Sequence, residues 1–318
     1  MSSSEKVQVV QVLEPQRGQR LDNFLMSRLK GLPRSRLYRL IRRGEVRVNK
    51  KRCKPERKLE LGDQVRIPPF SGIAEQKPGK LKPGLLDLLM NSVLFEDEHL
   101  LVINKPSGLS VHGGSGVRLG LIEAMRQVKP EWAQLELAHR LDRETTGCLV
   151  IAKNEIFLKH IQSELKLRNV TKHYLALVHG KWPDLLVEVN APLQKNELNS
   201  GERIVKVMNG GKASITRFRV LARYTSATLV EAMPETGRTH QIRVHCQYAG
   251  YPIVGDSKYT ASYPESELKR IKNLCLHAFR IRFNAPHSQK PLEVTAPMDN
   301  FFENLIAKLT ESIDITNR

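Results

Sequence analysis

In HRLDRETTG, residues 139–147, one aspartate, Asp142, sits between Arg140 and Arg143, with His139 just upstream. Two chemistries suit such a carboxylate. It can close a surface ion pair, which in exposed settings contributes only about 0–1 kcal/mol. Or the cations can hold it ionised, as a nucleophile or base facing an anionic substrate. Glu144, two residues on, is expected to point elsewhere. The loop then offers one working carboxylate, not the pair that sugar hydrolases commonly use. A lone ionised carboxylate suits a reaction whose leaving group stays in the site and is re-attached.

Other reactive signatures are missing. No G-x-x-x-x-G-K-[ST] occurs, and Gly114-Ser115-Gly116 lacks the third glycine of a dinucleotide fingerprint, so HGGSGVRLG (112–120) reads as a flexible loop near the substrate. His240 and His245 are five apart, not the four of a zinc helix. No serine lies in a G-x-S-x-G elbow, and no methyl-donor site is evident. Cys53, Cys148, Cys246 and Cys275 are scattered without a C-x-x-C, which argues against a zinc ribbon and against a disulfide framework. The expectation is an enzyme using no metal and no cofactor, catalysing a hydrolysis or an isomerisation.

The elements that must position these residues fall into two blocks. The chain has 318 residues, enough for about two domains, and a formal charge of +18 with pI near 9.9. That charge points to a polyanionic partner, nucleic acid before an anionic membrane surface. MSSSEKVQVVQV lacks the long apolar core of a signal peptide, and no apolar run reaches about 18 residues. A soluble, cytoplasmic monomer that avoids membranes is expected. Residues 1–85 hold 21 Lys and Arg against 8 Asp and Glu, and the remaining 233 hold 30 against 25. The front quarter therefore reads as a phosphate-binding surface.

Residues 1–17 are expected to be a tail. In 18–67, RLDNFLMSRL (20–29) spaces Leu21, Phe24, Leu25 and Leu29 as a helix, stopped by Gly31 and Pro33. Ser35 can cap a second helix, with Leu37, Leu40 and Ile41 inward and Arg36, Arg39, Arg42 and Arg43 outward. EVRVNKK, carrying Arg47, Lys50 and Lys51, alternates as a strand, and LELGDQVRIP reads as a turn and another. Residues 68–84 lack periodicity and read as a linker. Over 85–318, seven strand-like stretches run from VLFEDEHLLVINKPSG to PLEVTAP. Helices are expected near 118–129, 155–168, 239–249 and 299–310. Few helices and successive strands predict an α+β domain on a mixed, largely antiparallel sheet.

Two resemblances follow. RLDNFL, the Arg-rich second helix, GEVRVNKKRCKP and LGDQVRIP resemble, in order, the S4 RNA-binding domain. HRLDRETTG followed by CLVIAK resembles the catalytic-aspartate motif of the RluA-type pseudouridine synthases. INKPSGLSVHGG (103–114), KHYLALVHG (172–180), TGRTHQIRVHCQYAGYPIVGD (236–256) and LHAFRIRF (276–283) are similar to that family's other motifs. The resemblance implies cofactor-free isomerisation of uridines to pseudouridine in large subunit (23S) ribosomal RNA. It implies Asp142 as the catalytic carboxylate, Tyr174 as a catalytic ring that stacks on the uracil or moves a proton, and Arg243 as the aspartate's basic partner. Arg140 would displace the target base, Arg238 and His240 would contact substrate, and the front-domain cations Arg36 to Lys51 named above would hold RNA. Two rival readings are an S4-type binding module with a decayed catalytic fold, and an RNA glycosidase that admits water and frees uracil.

Overall fold

The computed structural model describes residues 7–29, 32, 34–69, 83–113, 119–197, 203–260, 263, 267–286 and 290–316. The chain divides into two units, Met1–Lys77 and Pro78–Arg318. In the first, the apolar spacing of the front block does what amphipathic helices do. Helices α1 (Leu21–Arg28) and α2 (Arg34–Arg43) turn Leu21, Phe24, Leu25, Leu37 and Ile41 into a common core with Val48 and Val65. Strands β1 (Gln8–Gln11), β2 (Arg47–Val48) and β3 (Gln64–Ile67) form an antiparallel sheet in the order β1-β3-β2.

Three expectations change here. The predicted tail contributes β1, paired with β3 from Gln8↔Ile67 to Gln11↔Gln64, and Val12 is fully buried. Apolar residues at 7, 9, 10 and 12 give an alternation too short to stand out from a polar N-terminus. EVRVNKK is a strand only at Arg47–Val48. Asn49 (φ 50°) and Lys50 (φ 64°) then make a tight left-handed turn, closed by reciprocal 3.0 Å bonds between the Val48 and Lys51 backbones. Arg36 is half-buried, not outward. Gly31, Pro33 and residues 70–82 of the expected linker lie outside the described residues, and helix begins at Pro83.

The second unit runs α3 (Pro83–Asn91), β4 (Val93–Glu96), β5 (Leu100–Lys105), α4 (Leu121–Met125), β6 (Glu136–Leu137), β7 (Thr146–Ala152), α5 (Glu155–Leu167), β8 (Thr171–His179), β9 (Glu188–Asn190), β10 (Leu193–Glu197) and β11 (Arg203–Val207). It continues through β12 (Ile215–Arg223), β13 (Ala227–Pro234), α6 (Gln241–Tyr248), β14 (Leu276–Phe283), β15 (Leu292–Thr295) and α7 (Asn300–Thr316). The large sheet is ordered β4-β5-β7-β14-β8-β13-β12-β9, with β6 on β7 and β15 on β14. Its pairs are antiparallel except β7 with β14. The fold is therefore α+β on a mixed, largely antiparallel sheet.

The parallel pair passes close at Gly147, which has φ 103°; a Cβ there would overlap the Ala278 carbonyl, so only glycine fits. Apolar cores lie around Trp182 and Phe218 and around Trp132, Leu101 and Leu149. Cys148, Cys246 and Cys275 are buried free thiols and Cys53 is half-buried. Among the described residues no helix is long and apolar enough to cross a membrane.

Candidate active site

Asp142 lies in the loop joining β6 to β7, and that loop is fastened along its length. At its start the Val150 amide donates to His139 Nε2 at 3.1 Å, and the Ala138 amide donates to the Val150 carbonyl. Burial pulls His139 down to about 4, and with Nε2 already an acceptor the ring is a neutral loop support. Midway, the Thr145 amide donates to the Asp142 carbonyl at 3.2 Å. At its end Thr146 Oγ1 and His277 Nδ1 share a 2.8 Å bond across to β14.

A second strap comes from the segment after β5. Lys105 is fully buried, and its ammonium donates to the carbonyls of Pro106, Leu109 and Arg143 at 2.8, 3.0 and 2.9 Å. Burial lowers it to about 8, against the opposing pull of Glu144 and Asp142. Ser107 Oγ donates to the Glu144 carbonyl. The sequence reading passed over Lys105; its signal was a lysine closing an otherwise apolar strand, LLVINK.

Among the described residues neither flanking arginine pairs with Asp142. Arg143 Nε donates to the Gly108 carbonyl at 2.9 Å and lies 3.5 Å from Glu144. Arg140 is exposed and without an ion-pair partner among the described residues. The cation that reaches Asp142 comes from α6, 101 residues later. Arg243 Nη1 donates to Asp142 Oδ2 at 3.2 Å. Adjacent side chains in sequence diverge along a turn, whereas a helix laid across the loop can aim one guanidinium at it.

Arg243 is itself held by Asp256, Nε to Oδ2 at 2.7 Å and Nη2 to Oδ1 at 2.8 Å, a bidentate pair with Asp256 fully buried. Burial works against the guanidinium's charge, but the two carboxylates, Asp256 first, hold it firmly protonated. Asp256 and Tyr259, which lies beneath, were also missed from the sequence. His240 caps α6 with its Nε2 3.9 Å from Asp142 Oδ2.

These groups open on a cleft of about 550 Å³. Asp142, Tyr174, Arg243, Arg140, Arg238 and His240, separated by up to 103 residues, all line it. So do Lys166, Arg168 and Lys172, which the sequence reading did not select. Tyr174 on β8 is half-buried; burial first, then the charge of Asp142, pushes its hydroxyl well above the usual range. It stays protonated at neutral pH. Arg238 is exposed and anchored by Nε on the Ala213 carbonyl.

Within the first unit, Arg39, Arg42, Arg43, Arg47, Lys50 and Lys51 are exposed on α2, β2 and the turn that follows β2, with Arg36 half-buried on α2. Among the described residues no group of three or more His, Cys, Asp or Glu is placed to hold a metal ion. Gly114 to Gly116 lie outside the described residues.

Residues 99–248 match the family described as RNA pseudouridylate synthase, and residues 19–65 match the S4 domain. The ribosomal large subunit pseudouridine synthase C of Haemophilus influenzae is 48% identical over 97% of each chain. That of Escherichia coli (strain K12) is 48% identical over 97% of this chain and 98% of its own. Among solved structures, human RNA Pseudouridylate Synthase Domain Containing 4 superimposes with a TM-score of 0.57 at 26% identity, covering 71% of this chain and 96% of that one. Human RNA Pseudouridylate Synthase Domain Containing 1 gives 0.55 at 29%, covering 67% and 85%.

Proposed function

The chain belongs to the RNA pseudouridylate synthase family, isomerases here joined to an S4 domain, and we propose that it converts specific uridines of large subunit (23S) ribosomal RNA to pseudouridine without a cofactor. One observation carries the reading of the site: Asp142 Oδ2 is engaged by Arg243, while Oδ1 accepts no hydrogen bond from any described residue and the carboxylate lines the cleft. A carboxylate held through one oxygen and left with the other free of described partners is equipped to react.

In the proposed reaction Asp142 acts at the ribose, by adding to C1′ or by taking the C2′ proton. The N1–C1′ bond breaks, the uracil turns within the cleft, and C5 joins C1′. The proton lost from C5 is balanced by one gained at N1, so no outside group is consumed. The ring of Tyr174 supplies a stacking face that keeps the detached base in place, a contact worth about 1–3 kcal/mol. Its raised hydroxyl favours stacking over a standing phenolate base. Arg243 holds Asp142 Oδ2 in place. Arg140, without an ion-pair partner among the described residues, fills the space left by the extruded uridine, while Arg238 and His240 contact the nucleotide. Arg36, Arg39, Arg42, Arg43, Arg47, Lys50 and Lys51 hold RNA phosphates and bring most of the salt-dependent affinity. Action on ribosomal RNA sets the work in the cytoplasm.

Asp142→Asn tests this. It keeps shape and removes charge. Expected is loss of detectable pseudouridine on transcript RNA with no added cofactor, with RNA affinity kept within about a few-fold because phosphate contacts elsewhere dominate. Near-normal conversion by this variant overturns the assignment. Release of free uracil by the wild-type protein points to the glycosidase.

A further inference from the structure

Both groups that approach Asp142 Oδ2 are held by one short segment, Asp256 to Tyr259. Asp256 clamps Arg243. Tyr259 meets the other: its hydroxyl lies 2.8 Å from His240 Nδ1. The same ring stands edge-on to His240, with centroids 5.7 Å apart, and carries the Arg243 guanidinium over its face at 5.2 Å. It is only 5% exposed, and burial pushes its hydroxyl up to about 12. It is therefore a protonated donor at any working pH.

The proton positions follow from counting donors. The Val205 amide on β11 donates to the Tyr259 oxygen at 3.1 Å, and among the described residues His240 Nδ1 is the acceptor within reach of the hydroxyl's own proton. That makes Nδ1 an acceptor and places the ring's N–H on Nε2. The alternative tautomer would aim a lone pair of Nε2 at a carboxylate 3.9 Å away, an electrostatic clash. His240 also sits at φ 52°, ψ 23°, left-handed backbone that a non-glycine residue holds only when its surroundings impose it. The charged groups around it are Asp142, Arg243, Lys258 and Asp256.

We propose that Tyr259 is a positioning residue that fixes His240 as the Nε2–H tautomer, so that His240 presents a second donor to Asp142 beside Arg243. This rests on the reading of Asp142 as the reacting carboxylate. When the substrate enters, a shift of under an ångström brings Nε2–H into hydrogen-bond range of Oδ2. The carboxylate is then held by two donors on one oxygen and reacts through the other.

The test is Tyr259→Phe in the full-length protein. Phenylalanine keeps the ring against Arg243 and His240 and deletes only the hydroxyl. Long-range proton–nitrogen NMR on 15N-histidine protein reads the tautomer directly, with His240→Asn identifying the resonance; asparagine tolerates left-handed backbone. Expected for wild type is a protonated Nε2 and a bare Nδ1, and for Tyr259→Phe a mixture of tautomers, with the other histidine rings unchanged and amide shifts confined to the surroundings of Val205, which loses its acceptor. On transcript RNA, kcat is expected to fall about 10- to 100-fold with KM near wild type, the range typical of groups that orient a reacting ligand. In the His240→Asn background, Tyr259→Phe is expected to cost nothing more. An unchanged His240 tautomer in Tyr259→Phe, or an equal further loss in the His240→Asn background, overturns the proposal. If Asp142→Asn is inactive while Tyr259→Phe works normally, the proposal falls alone. If Asp142→Asn is active, it falls together with the site it rests on.

Discussion

In the N-terminal unit, Asp22 accepts hydrogen bonds from Arg20 Nε and Nη2 at 3.1 and 2.7 Å, from the Tyr38 hydroxyl at 2.8 Å and from the Asn23 amide at 2.9 Å. In the larger unit, the Asp142 side chain accepts one from the described residues, from Arg243 at 3.2 Å. Both aspartates lie within two residues of an arginine in sequence, and both are shielded, with side chains 7% and 18% exposed. The difference is in what their oxygens are doing. Both oxygens of Asp22 are spent on its own fold, and the largest cause, the Arg20 hydrogen bonds, pulls its carboxyl down to about 2. Asp142 has an oxygen left over and a cleft in front of it. Cationic neighbours alone do not separate the two carboxylates; the count of donors from the described residues does. Asp256 stands with Asp22: both its oxygens are taken, and its work is to aim Arg243.

The largest expected effect separates those two kinds of carboxylate around a shared arginine. Arg243→Met removes the guanidinium and leaves Asp256 fully buried without its partner. Breaking a buried pair in this way costs about 3–5 kcal/mol. Thermal unfolding of the larger unit is expected to show it, with pseudouridine formation lost as well. The double variant Arg243→Met, Asp256→Leu removes the stranded charge and is expected to regain most of the stability and none of the activity. Recovered activity in the double variant would mean that Arg243 serves the fold and not Asp142.

Asp22→Ala is the counterpart. It leaves Arg20 and the Tyr38 hydroxyl without their acceptor, a loss of about 1–3 kcal/mol confined to the first unit. At temperatures where that unit stays folded, conversion of bound RNA is expected to be unchanged. A drop in turnover at saturating RNA would erase the contrast with Asp142.

How much of this was legible from sequence depends on the length of the signal. Strands such as LLVINK, CLVIAK and ATLVEAMP are buried nearly throughout, and their apolar runs announce them. Strands β9, β10 and β11 read EVN, LQKNE and RIVKV, too short or too polar to rise above loop. Helix α3 hid behind the Pro and Gly that begin it. The loop bearing Asp142 was visible because its residues are contiguous, and Tyr174 and Arg243 were reached only through resemblance to a family. Lys105 reaches the Asp142 loop at Arg143, and Asp256 and Tyr259 reach Arg243 and His240, through contacts that no local pattern encodes. For the same reason the flanking Arg140 and Arg143 looked like the partners of Asp142, when the partner is on α6.

The smallest effect at working pH, and the one that compares the two units directly, is their response to acid. The first unit contains no histidine, whereas the larger unit contains all ten of the chain. There, burial lowers His139 to about 4 and also lowers His179, His245 and His277. Each folded value lies below the ordinary 6.5, so the unfolded chain binds these protons first. Stability from these neutral rings is therefore complete above about pH 6.5 and declines as pH falls toward 4. Asp22 has the same sign in a lower window: its contribution is complete above 3.8 and is lost as pH falls toward 2. In the larger unit Glu96 and Glu231, both lowered from 4.5, add losses only below that value. Both tryptophans, Trp132 and Trp182, are in the larger unit, so their fluorescence reports that unit alone. Its melting temperature is expected to fall between pH 7 and 5 while amide-exchange protection in α1 and β3 holds. His179, whose ring nitrogens have no hydrogen-bond partner among the described residues, sharpens the case: His179→Phe is expected to remove part of the fall. Equal acid sensitivity of both units over that range would place the titration elsewhere than in the buried rings.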